Sequence, residues 1–184
     1  MGIATCAFTG HRPKIYPWKY DETDSRRASL NAALVEQIIM LVKVGVTDFF
    51  SWMAEGTDCY CSQIVIDQHI KNPALKLQCA LPYEGQSNNW SDSAQERYNT
   101  ILEQADSVDY GSRAYNDCCM ISRNHRLVEL AGRLLAVYNG MMLSGTGSTV
   151  NYARKLGQEI SVIDPNTLAI THEGTASDLT LGGG

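Results

Sequence analysis

The chain has 184 residues, 44% of them hydrophobic and 19% charged, so it is long enough to bury one core and too apolar to be disordered. Its formal net charge is −5, and no run of Lys and Arg reaches three residues, which counts against the concentrated basic surface of a non-specific nucleic-acid binder. The N-terminus lacks a signal-peptide pattern, and no apolar stretch approaches the ~18 residues of a membrane span. We therefore expect a cytoplasmic protein that has no membrane contact.

Apolar, strand-like runs alternate with segments of helical periodicity, which predicts βαβ units in a three-layer α/β domain, with a mainly parallel central sheet flanked by helices. The strands are predicted at residues 3–8, 46–52, 75–81, 107–110, 134–138 and 159–163. The helices are predicted at residues 23–44, 58–69, 91–105, 114–130 and 148–156. Periodicity ends near residue 164, so we expect one domain over residues 1–165 and a partly disordered C-terminal tail at 166–184.

Three loops each join the end of a predicted strand to the next helix, at residues 9–13, 53–58 and 144–149. Each contains glycine and side chains that form hydrogen bonds. Because the carboxyl ends of parallel strands lie at one edge of a sheet, ligands of open α/β folds bind there. The shared position of the loops therefore predicts a single ligand-binding crevice.

The third loop indicates a phosphate site. Its small residues let a ligand approach the backbone, and the N–H groups and dipole of the following helix favour an anion. The candidate binding residues are Gly145, Thr146, Gly147, Ser148 and Thr149. The loop lacks the Lys-Ser/Thr pair of a P-loop, and the first strand turn lacks the GxGxxG of a dinucleotide site. The alternative is structural, with glycines that turn the chain and Ser148 as a helix cap.

The first loop supplies a cation. Gly10 permits a tight turn after the first strand, and the planar Arg12 guanidinium suits phosphate or carboxylate groups. His11 could donate a hydrogen bond or transfer a proton. The alternative is that Arg12 is a solvated surface charge and that His11 packs against the following loop.

The second loop places two carboxylates beside Gly56. Glu55 and Asp58 could accept hydrogen bonds from a ribose or a base, and Glu55 could act as a general base or nucleophile at a sugar carbon. The alternative makes Asp58 the N-cap of the next helix, with Glu55 interacting favourably with the helix dipole.

Other residues give weaker signals. Arg123 and Asn124 lie in the helix before the fifth long strand, where they could face the crevice or form a solvated surface. Trp52 ends a strand and is expected in the core. The six cysteines have neither CxxC nor zinc-ribbon spacing, so we expect reduced thiols and no metal site.

The motifs TGHRP in the first loop, SxxAxGxD through the second, and LLAVYNG leading into GTGST resemble the YpsA-like branch of the SLOG superfamily over about residues 3–165. That superfamily includes LOG-type phosphoribohydrolases and DprA-type DNA-processing proteins. The resemblance implies a Rossmann-like fold, a nucleotide-derived ligand and self-association into a homo-oligomer. The binding residues it implies are Gly10, His11, Arg12, Glu55, Gly56, Asp58, Arg123, Asn124, Gly145, Thr146, Gly147 and Thr149. Asn151 stands where the LOG pattern has a glutamate, and Met53 where the second loop usually has glycine.

Three functions fit these residues. The first is a sensor or regulator that binds a nucleotide, NAD, ADP-ribose or a nucleotide sugar without turnover and needs no cofactor. The second is an enzyme that hydrolyses the N-glycosidic bond of a nucleotide with Glu55. The third is DprA-like binding of single-stranded DNA, against which the acidic charge counts. We expect the first, because the loops predict an anion-binding crevice without a complete catalytic set.

Overall fold

The computed structural model describes residues 4–111 and 117–174, with the side chains of residues 117–123 outside the described part. The strands there are β1 (Ala4–Gly10), β2 (Val46–Ser51), β3 (Lys76–Leu81), β4 (Ser107–Tyr110), β5 (Arg133–Val137), β6 (Glu159–Ile163) and β7 (Ile170–Glu173). The α-helices are α1 (Ser25–Lys43), α2 (Thr57–His69), α3 (Asp92–Gln104), α4 (Asp117–Leu130) and α5 (Gly145–Lys155). A short 3-10 helix, Pro13–Ile15, follows β1.

All strands belong to one sheet with the order β4-β3-β2-β1-β5-β6-β7. Every neighbouring pair is parallel except β6 and β7. The chain builds outward from β1 to β4 and then returns, so that β5 pairs with the free side of β1. The predicted mainly parallel, Rossmann-like α/β fold is confirmed. Its connections reverse direction between β1 and β5, which is where open α/β sheets form a ligand crevice.

Apolar side chains cover both faces of the sheet. Phe8 of β1 belongs to a core that includes residues of α1, α2 and α3, whereas its neighbour Ala7 packs with residues of α4 and α5. Successive strand residues point to opposite faces, so a strand between two helical layers must be apolar at almost every position. Of the helices that the structure describes, none is both long enough and apolar enough to cross a membrane.

The start of α5 differs from the prediction. The helix begins at Gly145 rather than at residue 148, and Ser144 is its N-cap. Gly145, Thr146 and Gly147 therefore form the first helical turn and not a loop. Glycine is a poor helix former, so the sequence favoured a loop; the Ser144 hydroxyl, which accepts from the Gly147 N–H at 2.9 Å, stabilises the helix here.

The sheet also continues past residue 165, the predicted end of the domain. β7 pairs antiparallel with β6 at the edge of the sheet. Its sequence, Ile-Thr-His-Glu, contains a single apolar residue and gives no apolar run, which is why the sequence did not predict it. The remainder of the predicted tail, residues 175–184, lies outside the described residues.

Candidate functional site

A cleft of about 460 Å³ lies at the switch point between β1 and β5. Its walls come from the loops that follow β1, β2, β3 and β5 and from the first turn of α5. The predicted site residues that line it are Gly10, His11, Arg12, Asp58, Asn124, Gly145 and Thr146. The second predicted loop reaches this crevice through Asp58, and the first and third loops meet there.

His11 connects these two loops. The residue is 3% exposed, and its ring Nε2 lies 2.8 Å from the side-chain oxygen of Asn139 and 3.2 Å from the Asn139 backbone nitrogen. The backbone N–H of His11 donates to the carbonyl of Val137. Burial lowers the pKa of His11, which favours the neutral form of the ring. The side chain thus links the end of β1 to the start of the loop after β5.

Close packing explains the glycines beside His11. A Cβ on Gly10 would collide with the side chain of Thr57 at the start of α2. Gly56 has a φ of +99°, and a Cβ there would lie 3.0 Å from the carbonyl oxygen of His11 and 3.1 Å from Cδ of Pro13. Gly56 therefore brings the second loop against the first, and it does not line the cleft.

The first turn of α5 presents unpaired donors to the cleft. The Ser144 side chain accepts from Gly147 N and donates to the Met141 carbonyl at 2.7 Å. The N–H groups of Gly145 and Thr146 have no acceptor among the described residues, and both residues line the cleft. Such groups at a helix N-terminus form an anion site. Arg12 and Lys14, both exposed, add positive charge to the same cleft.

The rest of the third loop has structural roles. Ser148 is exposed and Thr149 is buried, and neither lines the cleft. The Thr149 hydroxyl donates to the Gly145 carbonyl at 3.0 Å. Gly147 also lies outside the cleft, and a Cβ there would be 2.6 Å from the carbonyl oxygens of Met141 and Met142. Gly147 and Thr149 therefore help to hold the turn that carries the donors.

Asp58 is a buried carboxyl at the base of the cleft. The N-cap of α2 is Gly56 and not Asp58. The Asp58 carboxyl instead accepts from the Ala54 N–H at 3.2 Å. Burial raises the pKa of Asp58 to about 7, although the Ala54 hydrogen bond and the charge of Arg12 oppose the rise. A carboxyl that changes charge near pH 7 beside a cleft is a common feature of functional sites.

The structure separates Glu55 from this cleft. The half-buried side chain of Glu55 lines a neighbouring pocket together with Trp90 and the Glu22–Arg97 ion pair, whose two hydrogen bonds are each 2.6 Å long. Burial raises the pKa of Glu55 against the lowering effect of Arg12. Asp58 is therefore the carboxyl of the second loop that reaches the cleft.

Several residues of the cleft were not expected from the sequence. Trp52, expected only in the core, is 6% exposed and also lines the cleft. Gln86, in the loop after β3, is 8% exposed and lines it too. No local pattern marks Gln86. For the second loop, the sequence did give a signal of unusual backbone geometry, because Met53 stands at a position where glycine was expected. Met53 has a φ of +58°, which is a strained conformation for a residue with a side chain.

The other two predicted binding residues, Arg123 and Asn124, lie in α4. Asn124 is half-buried and lines the cleft, whereas the side chain of Arg123 lies outside the described residues. Within the described residues, no cluster of three or more His, Cys, Asp or Glu side chains is arranged to hold a metal ion. Cys6, Cys59, Cys61 and Cys79 are buried free thiols.

The chain is similar in sequence to one protein family and to several bacterial proteins. A family model described as the YspA SLOG family (YpsA) matches residues 6–168. A UPF0398 protein of Bacillus cereus strain ATCC 14579 is 28% identical over 155 residues, which are 83% of each chain. A UPF0398 protein of Halalkalibacterium halodurans is 26% identical over 145 residues, 76% of this chain and 77% of that one. A UPF0398 protein of Bacillus thuringiensis is 30% identical over 105 residues, 56% of this chain and 57% of that one. These names state no ligand and no reaction.

Proposed function

The chain belongs to the YspA SLOG family, and from that premise we propose that its cleft binds a phosphate-bearing, nucleotide-derived small molecule, as a sensor or regulator in the cytoplasm. The observation that carries the proposal is the meeting of two unpaired N–H groups, on Gly145 and Thr146, with the cations Arg12 and Lys14 in one cleft. Backbone donors at a helix N-terminus together with a guanidinium suit a phosphate group.

The size and lining of the cleft support a ligand larger than phosphate alone. Its volume of about 460 Å³ lies within the range of small-molecule sites, ~300–1,000 Å³. Ile15, Trp52 and Met141 add apolar surface near the cations, as a ring system beside a phosphate would require. Within the described residues, Glu55 lines a different pocket, so the geometry favours binding over hydrolysis by that carboxyl.

The test is a thermal-shift series with AMP, NAD, ADP-ribose and UDP-glucose, with adenosine as the ligand that lacks phosphate. A ligand that binds the folded state at 100 times its Kd stabilises that state by about 2.7 kcal/mol, which raises the Tm of a chain of this length by roughly 5–10 °C. We expect such a shift for at least one phosphate-bearing ligand and none for adenosine.

Arg12→Ala should weaken binding of the active ligand about tenfold, because a charge-assisted hydrogen bond is lost. Lys71→Ala removes an exposed cation outside the cleft and is the matched control, with unchanged affinity. The proposal is wrong if no phosphate-bearing ligand raises the Tm, or if Arg12→Ala and Lys71→Ala bind alike.

A further inference from the structure

Gln86 enters the cleft with a fixed orientation. Its Nε2 donates to the carbonyl of Met53 at 3.1 Å. Only the NH₂ group of an amide can donate to a carbonyl, so the positions of nitrogen and oxygen are determined and Oε1 is turned away from Met53. That oxygen is buried, and it accepts no hydrogen bond from any described residue.

The partner of this hydrogen bond is itself held rigidly. Met53 is fully buried, its φ is +58°, and its N–H donates to the Ser51 hydroxyl at 3.1 Å. A left-handed conformation in a residue with a side chain persists only where its surroundings enforce it. The strained turn points the Met53 carbonyl at Gln86 and thereby clamps the loop after β3 to the loop after β2.

Trp52 presents the complementary group. Its ring packs in the core beneath α4 and α5, and the residue is 6% exposed and lines the same cleft as Gln86. The indole Nε1–H is a donor only, and it too is buried without an acceptor among the described residues. Buried polar groups of folded proteins are nearly always paired, and each exception calls for an explanation.

Trp52 and Gln86 differ in their location from the other residues that carry such atoms. Other buried atoms without a partner in the described part of the chain, such as Nε1 of Trp18 and the Tyr138 hydroxyl, belong to residues that do not line the cleft. Trp52 and Gln86 line it together, and one is a donor and the other an acceptor. The two atoms are chemically complementary to a ligand that offers both an acceptor and a donor.

We infer that Trp52 Nε1–H and Gln86 Oε1 recognise the hydrogen-bonding edge of a nucleobase, with the base acceptor on Trp52 and a base N–H on Gln86. The inference rests on the proposed function, in which the first turn of α5 and Arg12 hold the phosphate of the same ligand. Nucleobases carry donors beside acceptors on their edges, and the two sites lie in one cleft. The pair therefore determines which base is accepted, and the α5 turn with Arg12 supplies affinity common to all nucleotides.

The experiment measures Kd by isothermal titration calorimetry for AMP, GMP, CMP, UMP and ribose 5-phosphate with the full chain. A site with fixed polar groups discriminates against ligands that leave them unpaired. We expect one nucleotide to bind about tenfold or more tightly than the other three and than ribose 5-phosphate. Gln86→Met and Trp52→Phe should each abolish most of this preference while leaving the Kd of ribose 5-phosphate within about twofold.

Gln95→Met is the matched control. The Gln95 amide also anchors the loop after β3, through the carbonyls of Asn88 and Trp90, but the residue does not line the cleft. It should keep the base preference, whereas a purely structural role of Gln86 predicts the same loss in both variants.

The outcomes separate the two proposals. Equal binding of the four nucleotides, or an equal loss of ribose 5-phosphate affinity in Gln86→Met and Trp52→Phe, overturns base recognition and leaves phosphate binding intact. Absence of binding by every phosphate-bearing probe overturns both proposals.

Discussion

Asp58 and His11 lie beside the cleft, and each is 3% exposed. Burial raises the pKa of Asp58 and lowers that of His11, so both side chains are shifted towards their neutral forms. A neutral Asp58 matters for the proposed ligand, because a charged carboxylate near a phosphate group would repel it. At the scale of single residues, burial thus favours the neutral forms of Asp58 and His11, whereas the side chains of Arg12 and Lys14 are exposed.

Asp58→Asn tests the raised pKa of this carboxyl. The pKa is about 7 in the folded chain and near 3.9 in the unfolded one, so the folded state holds the proton more tightly. The contribution of Asp58 to stability therefore falls as pH rises from about 4 to about 7. Relative to the wild type, the asparagine variant should gain about 2–3 kcal/mol between pH 5 and pH 8, or roughly 5–10 °C in Tm.

Both proteins contain His11 and the other titratable groups, so the contributions of those groups to the pH dependence of stability cancel in the difference between variant and wild type. Asp67→Asn, at an exposed position of α2, is the control and should show no such gain. An equal Tm difference at pH 5 and pH 8 for Asp58→Asn would mean that the folded carboxyl titrates like an unfolded one.

At the scale of elements, the junction of β5 and α5 depends on how closely the chain folds back on itself. Ser144 closes the turn with its two hydrogen bonds, and Gly147 lets the carbonyls of Met141 and Met142 lie against the helix. The glycines at 145 and 147 are therefore not equivalent. The first leaves space at the cleft, and the second allows the loop to pack.

Gly147→Ala and Gly145→Ala should consequently have opposite effects on the free energy of unfolding. The methyl group at 147 would meet two carbonyl oxygens at 2.6 Å, which should cost about 1–3 kcal/mol. At 145 nothing lies within 4 Å, and alanine is the better helix former by up to about 1 kcal/mol. Urea-induced unfolding measures both variants, and equal stabilities would show that the turn relaxes without cost.

At the scale of the whole molecule, the sheet has two different edges. β4 ends one side, and β7 closes the other by an antiparallel pairing with β6. Arg154 of α5 forms a two-pronged ion pair with Glu173 at 2.7 Å, and Ile170 packs against the core. The last described strand therefore belongs to the folded unit and protects the edge of β6 from pairing with other chains.

Truncation tests this role of β7. A chain that ends at residue 165 loses the half-buried Ile170 and the strand pairing, which should lower stability by about 2 kcal/mol and the Tm by roughly 4–8 °C. The exposed β6 edge should also promote self-association, visible by size-exclusion chromatography. A chain that ends at residue 174 retains β7 and is the control. If the two truncated chains have the same Tm, β7 contributes nothing to the stability of the fold.

The sequence by itself determined the order of strands and helices along the chain as far as β6, because apolar periodicity depends on neighbours within a few residues. It also predicted that the loops after β1, β2 and β5 meet at one crevice, since strand ends of a parallel sheet share an edge. The tertiary structure alone decided that Asp58 rather than Glu55 lines that crevice. It also decided that the loop before α5 packs closely against Gly147, and that Gln86, with a buried acceptor, and Trp52, with a buried donor, both line the crevice. Those properties depend on contacts between residues far apart in the chain, such as Gln86 with Met53, and no local pattern encodes which distant backbone a side chain will meet.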